Sequence, residues 1–198
     1  MNMFCFQCQE TARGTGCTVK GVCGKEPQTA AYMDLLLYAV RGIAIVNRTL
    51  REKGTAHNEI DHFVLDALFC TITNANFDDE AIIVRIKKAF EIKNILVGTA
   101  KKRNIALPDM PEVAYFVSEE NYLAEAAEVG VLSEPNEDLR SLKQMVIYGV
   151  KGAAAYTEHA LNLGFEDHDI YAMIENALAE ISRSDISAEE LVSLVLNV

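Results

Sequence analysis

Residues 28–53 read QTAAYMDLLLYAVRGIAIVNRTLREK, and this stretch decides the fold. Leu36, Val40, Ile43 and Val46 recur at three- and four-residue steps, the period of a helix with one buried face. Gly54 follows as a stop, because glycine enters the left-handed conformation that ends helices. One long helix is therefore expected from about Gln28 to Lys53. The pattern continues downstream with few breakers. A second helix is expected from about Asn58 to Thr73, with Ile60, Val64, Ala67 and Leu68 on one face. A third begins after Phe77, where Asp78, Asp79 and Glu80 suit the positive helix start. Lys101, Lys102 and Arg103 suit its negative end. A loop with Pro108 and Pro111 precedes a shorter helix over about Glu119–Val129. Further helices are expected over about Asn136–Leu163 and Glu166–Ile181, and a last one after Ser187.

The two halves match at a constant offset. Tyr38, Val40, Gly42 and Ala44 correspond to Tyr148, Val150, Gly152 and Ala154, each 110 residues later. At the same offset Gly54 meets Gly164, Ile60 meets Ile170, Ala67 and Leu68 meet Ala177 and Leu178, and Glu80 meets Glu190. Arg41 becomes Lys151, which keeps the charge. A glycine inside a helix costs roughly 1 kcal/mol against alanine, so its recurrence calls for a reason such as close helix approach. The fold class read from these features is all-α: a cysteine-rich loop (1–27) and two tandem three-helix bundles (28–107 and 108–198) related by an internal repeat. By the same offset the counterpart of the third helix ends near 211–214, past Val198. The last helix is thus expected to be cut short and the chain to be part of a longer protein. Self-association through the bared apolar face is expected of the isolated chain.

Composition narrows the function. The chain has 198 residues, 18 basic and 29 acidic, for a formal charge of −11. A surface this acidic disfavours nucleic acid and anionic membranes, which recruit basic patches. The start lacks the basic and apolar regions of a signal peptide. The apolar stretch Met33–Val46 is interrupted by Asp34 and Arg41 and is short for a bilayer of about 30 Å. A cytoplasmic protein is expected.

Cys5, Cys8, Cys17 and Cys23 lie within the first 23 residues, spaced C-x2-C-x8-C-x5-C, and Cys70 stands apart. The cytosol keeps thiols reduced, so four clustered thiols point to metal rather than to disulfides. A C-x2-C pair sets two thiolates on one side of a tight turn. Four glycines between Gly14 and Gly24 let the backbone close around a bound group, and its N–H groups can then offset negative charge on sulfur. Arg13, Lys20 and Lys25 outweigh Glu10 and Glu26, which suits an anionic cluster. Spacing alone leaves two readings open: an iron–sulfur centre and a structural zinc site.

The segments MFCFQCQET (3–11) and GCTVKGVCG (16–24) carry a family likeness. The sequence resembles the N-terminal domain of hybrid cluster proteins, also called prismane proteins or hydroxylamine reductases, over the whole chain. The resemblance implies that Cys5, Cys8, Cys17 and Cys23 hold a [4Fe–4S] cubane. Members with a longer spacer carry a [2Fe–2S] cluster, and the x8 and x5 spacings look like the cubane type. It further implies an oxidoreductase in which this domain relays electrons. The receiving hybrid iron–sulfur–oxygen cluster is ligated by later domains absent from these residues. Reduction of hydroxylamine or nitric oxide then belongs to the intact protein, and no catalytic residue is expected here. The partners implied are a redox donor protein and the hybrid-cluster domains. The rival is a zinc-stapled helical interaction module without redox activity.

The remaining residues suggest no second site. Cys70 reads as core. His57 and His168 stand near helix ends and are expected to be solvated. Glu59 and His62 give one Glu-x-x-His pair, but Tyr156 occupies the matching place before His159, so a carboxylate di-iron site is not supported. Adjacent residues on a helix diverge, which removes Asp61–His62 and Glu158–His159 as dyads. Tyr38, Tyr148 and Tyr156 are expected to pack between helices, with their hydroxyls finding local partners.

Overall fold

The computed structural model describes residues 3–55, 57–72 and 76–198. Among the described residues the chain is all-α, with α1 (Pro27–Arg51), α2 (Asn58–Ile72), α3 (Asp79–Lys102), α4 (Pro111–Ala114), α5 (Tyr122–Val129), α6 (Glu137–Asn162), α7 (His168–Glu180) and α8 (Ala188–Asn197). The expected end of the second helix at Thr73 lies outside the described residues. Local chemistry sets the starts. Pro27 opens α1, where a missing N–H costs nothing. Asp78 caps α3 by accepting from the Ala81 N–H (3.1 Å). Asp167 caps α7, so that helix begins two residues later than the periodicity suggested. Ser187 and Glu190 form a reciprocal capping box at α8. The segment with Pro108 and Pro111, expected as loop, contains α4. Four residues are too few to show a helical period.

The offset of 110 reappears in three dimensions. α6 and α7 begin 110 residues after α1 and α2. Gly54 and Gly164 both take positive φ, +74° and +83°. Gly54 N–H donates to Arg51 O (2.9 Å) and Thr55 N–H to Leu50 O (3.0 Å). Gly164 N–H donates to Leu161 O and Phe165 N–H to Ala160 O at the same distances. This is one helix stop used twice, which supports duplication.

Packing crosses between the halves. α1 lies at the centre and packs on α2, α3, α4, α5 and α7, while α2 also lies against α6. The buried apolar side chains of both halves form one continuous core. By length and composition α1 could cross a membrane, being longer than the 33–46 stretch suggested. Its apolar surface is already enclosed: Met33, Leu35, Leu36, Val40, Ile43 and Ile45 have no exposed surface. A helix apolar on all sides is what a central core position requires.

A buried polar cluster ties α1, α2 and α7 together. Arg51 donates to Asp61 Oδ1 (2.6 Å) and Glu175 Oε2 (2.9 Å). Asn47 Nδ2 donates to the same two carboxylates at 3.2 and 2.5 Å.

The paired glycines differ in their surroundings. A Cβ on Gly42 would stand 2.4 Å from the Glu112 carbonyl oxygen, whereas one on Gly152 would meet nothing within 4 Å. Gly42→Ala is therefore expected to destabilise by about 1–3 kcal/mol through overpacking. Gly152→Ala is expected to be neutral or stabilising by up to about 1 kcal/mol. Urea unfolding of both variants checks this, and equal costs would contradict it.

Candidate metal centre

The first and third cysteines close the loop. Cys5 N–H donates to Cys17 O and Cys17 N–H to Cys5 O, both at 2.9 Å, in an antiparallel bridge. Both side chains are buried, Cys8 is half-buried and Cys23 is exposed. Gly16, at φ +125°, lets the Phe4 ring lie against the backbone; a Cβ there would be 2.7 Å from the ring. Arg13 takes φ +57°, a strained conformation for a non-glycine residue.

A backbone donor turns toward sulfur. Ala12 N–H donates to Cys17 Sγ (3.4 Å), and the Gln7 backbone favours the Cys5 thiolate, opposing the effect of burial. The second turn is tight: Gly21 N–H donates to Lys25 O and Gly24 N–H to Gly21 O, both at 2.8 Å. A Cβ on Gly21 would lie 3.1 Å from Cys23 Sγ, so the backbone passes directly beside that sulfur. Four thiols on one loop, an N–H group on one of them and bare backbone against another form a donor set that fits an iron–sulfur group. Among the described residues, no three His, Cys, Asp or Glu side chains gather around a point that could hold a single ion.

Burial pushes the Cys5 thiol up to about 11, so without metal it is a neutral S–H. Metal binding must displace that proton.

The loop rests on α6. The Tyr148 hydroxyl donates to the carbonyl oxygens of Phe6 (3.0 Å) and Cys8 (3.2 Å), and its ring stacks on Phe6. One turn on, the fully buried Lys151 donates to Gln7 O (3.1 Å) and Gln7 Oε1 (2.6 Å). Gln7 Nε2 in turn donates to Asp34 Oδ1 on α1. Burial lowers Lys151 to about 8 and raises Asp34 to about 7, while each opposes the shift of the other. A second buried lysine, Lys25, points its ammonium at Met33 Sδ (2.9 Å).

Sequence reasoning counted Lys25 as a charge suited to the cluster and placed Gln7 inside the motif, without the contact of either, and it missed Asp34 and Lys151 as parts of this site. Asp34 did break an apolar run, and Lys151 did match Arg41 in the repeat. Neither fact says what the side chain touches. Tyr148 packs and its hydroxyl finds a partner as expected, but that partner is the distant cysteine turn rather than a local group. Tyr38 packs edge-on against Tyr115. Tyr156 departs from expectation: it is 82% exposed on the outer face of α6. His57 and His168 are exposed, and His62 pairs with Glu166 (3.1 Å) rather than with Glu59. Cys70 is buried on α2 and its thiol donates to Ala67 O (3.2 Å).

Comparison with known proteins agrees with the likeness carried by the cysteine motif. The Prismane/CO dehydrogenase family matches residues 3–198. A hydroxylamine reductase of Bacteroides thetaiotaomicron is 54% identical over 196 residues, 99% of this chain and 35% of that protein. One from Bacteroides fragilis is 51% identical over 197 residues, with the same coverage. One from Desulfitobacterium hafniense is 46% identical over 199 residues, 99% of this chain and 36% of that protein. The chain thus spans about a third of the length of these curated relatives. With nearly every residue matched, the chain belongs to the Prismane/CO dehydrogenase family.

Proposed function

We propose that this chain is the iron–sulfur electron-transfer part of a hydroxylamine reductase-like hybrid cluster protein acting in the cytoplasm. The observation that carries this reading is the four-cysteine loop, closed by the Cys5–Cys17 bridge, with a backbone N–H on the Cys17 sulfur. Bound by Cys5, Cys8, Cys17 and Cys23, a [4Fe–4S] cluster supplies reversible one-electron transfer. The chain's own residues then have distinct tasks. Cys5 and Cys17 hold the buried side, Cys8 the side facing α6, and Cys23 the solvent side. Val19 and Val22, 83% and 67% exposed beside Cys23, offer an apolar rim for a redox partner. Such a partner is a donor protein or the hybrid-cluster domains, where reduction of hydroxylamine or nitric oxide takes place. Val192 and Leu196 on α8 are exposed apolar side chains that support a further contact surface, and self-association of the isolated chain belongs to this proposal.

The test is metal and sulfide analysis of anaerobically purified protein, with EPR before and after dithionite. About four irons and four sulfides per chain, with a signal appearing on reduction, are expected. One zinc without sulfide would replace this reading with that of a zinc-stapled helical module.

A further inference from the structure

The repeat contains a spacing that the fold alone does not explain. Each long helix carries a tyrosine, then a cation three residues on, then a glycine: Tyr38, Arg41 and Gly42 on α1, and Tyr148, Lys151 and Gly152 on α6. Three residues apart, the two polar groups share a helix face. On α1 this face grips the segment 111–115. Tyr38 meets Tyr115 edge-on at 4.9 Å, and Arg41 donates to Glu112 Oε1 at 2.5 Å. On α6 the same face grips residues 6–8, the turn between the first two cysteines. One ancestral clamp thus holds a structural segment in the first half and the cysteine turn in the second.

The second clamp reaches the cysteine turn chiefly through one residue. Lys151 holds both the backbone carbonyl and the side-chain oxygen of Gln7. Gln7 stands between Cys5 and Cys8 in that turn. Asp34 fixes the amide nitrogen of Gln7 from the opposite side. Gln7 is 2% exposed and Lys151 has no exposed surface, so water screens this positive charge little, and the Asp34 carboxylate opposes part of it. A centre that gains an electron gains negative charge. A buried cation nearby favours the reduced state.

We propose that Tyr148 and Lys151 are positioning residues of the iron–sulfur centre, fixing the Phe6–Cys8 turn that carries Cys8 and adjoins Cys5, with the Lys151 charge raising the reduction potential. This rests on the iron–sulfur reading above. Neither residue is a ligand, and both act through the turn they hold.

The experiment uses the 198-residue chain purified anaerobically with iron and sulfide bound. Wild type, Lys151→Met, Lys151→Arg and Tyr148→Phe are compared by iron and sulfide content, by dithionite titration followed by EPR, and by circular dichroism melting. Lys151→Met is expected to shift the midpoint potential to more negative values, and Lys151→Arg to return it toward wild type. Tyr148→Phe removes one hydroxyl from a half-buried ring and is expected to keep the helical signal while losing iron several-fold faster in air. If Lys151→Met fails to fold, Lys151→Arg and Tyr148→Phe decide. Potentials and iron loss equal to wild type in every folded variant overturn the proposal. A wild-type chain with zinc and no sulfide overturns the iron–sulfur reading first, and that outcome is recognised before any variant is made.

Discussion

Serine at position 8 is expected to leave the chain unable to retain a four-iron cluster, with the iron content falling or a smaller cluster forming. Cys8 is half-buried where the loop meets α6, and Tyr148 holds its carbonyl oxygen at 3.2 Å. The backbone of the variant therefore stays in place, and the change is confined to the donor atom. A serine oxygen is a harder ligand than a thiolate and holds iron–sulfur units less well. Iron and sulfide analysis with the visible spectrum reads the result. An unchanged spectrum and iron content would remove Cys8 from the ligand set. Cys70→Ser is the matching control. Cys70 lies within the buried face of α2, and a serine hydroxyl can donate to Ala67 O as the thiol does. The cluster should be unaffected there, so cluster loss in Cys8→Ser but not in Cys70→Ser separates ligation from general damage.

Arg51→Met is expected to be the most destabilising single change away from the cysteine loop. The guanidinium reaches two carboxylates, Asp61 and Glu175, whose side chains are essentially without exposed surface. Removing one partner of such a buried set costs about 3–5 kcal/mol, because the carboxylates keep their desolvation and lose their cation. For a chain of this size that corresponds to a fall in Tm on the order of 10 °C.

The loss should depend on pH. Burial raises Glu175 to about 7, against hydrogen bonds from Asn47 and Arg51 that lower it, with Asp61 adding to the rise. Between its ordinary value of 4.5 and about 7, the folded chain holds a proton that the unfolded chain has released. Stability from this group therefore falls as pH rises through that window and is level above it. Without Arg51 the preference for protonation strengthens, so Arg51→Met should lose more at pH 8 than at pH 5. Facing the cluster are Asn47 and Arg51 from α1, Asp61 from α2 and Glu175 from α7. The Tyr171 hydroxyl stands at its edge beside Asp61 and brings no cation. Glu175→Gln should flatten the decline between pH 4.5 and 7. Thermal melts of the three proteins across this range decide it; an Arg51→Met chain melting with wild type at every pH would show that the pair is neutralised by other means.

Much of this protein was legible before any coordinates. Helix starts and stops rest on interactions among residues a few places apart. Asp78 and Ser187 as caps and Gly54 and Gly164 as stops therefore read directly from the chain, and the offset of 110 came with them. The cysteine spacing likewise pointed to metal, since a C-x2-C turn and a glycine-rich segment let clustered, reduced thiols close around one group. Tertiary structure decided what long-range contact decides. Nothing in the sequence marks Lys25, Lys93 and Lys151 as buried, yet all three are, because oxygen or sulfur acceptors wait for their ammonium groups. Tyr148 and Tyr156 both sit on α6 and looked alike as packing residues. One grips the cysteine turn and the other faces solvent, and the difference lies in which element happens to oppose that side of the helix. α2 packs on α6, and α1 on α7. Periodicity determines that a helix has a face to bury; the partner for that face is chosen by the shape and charge of residues a hundred places away.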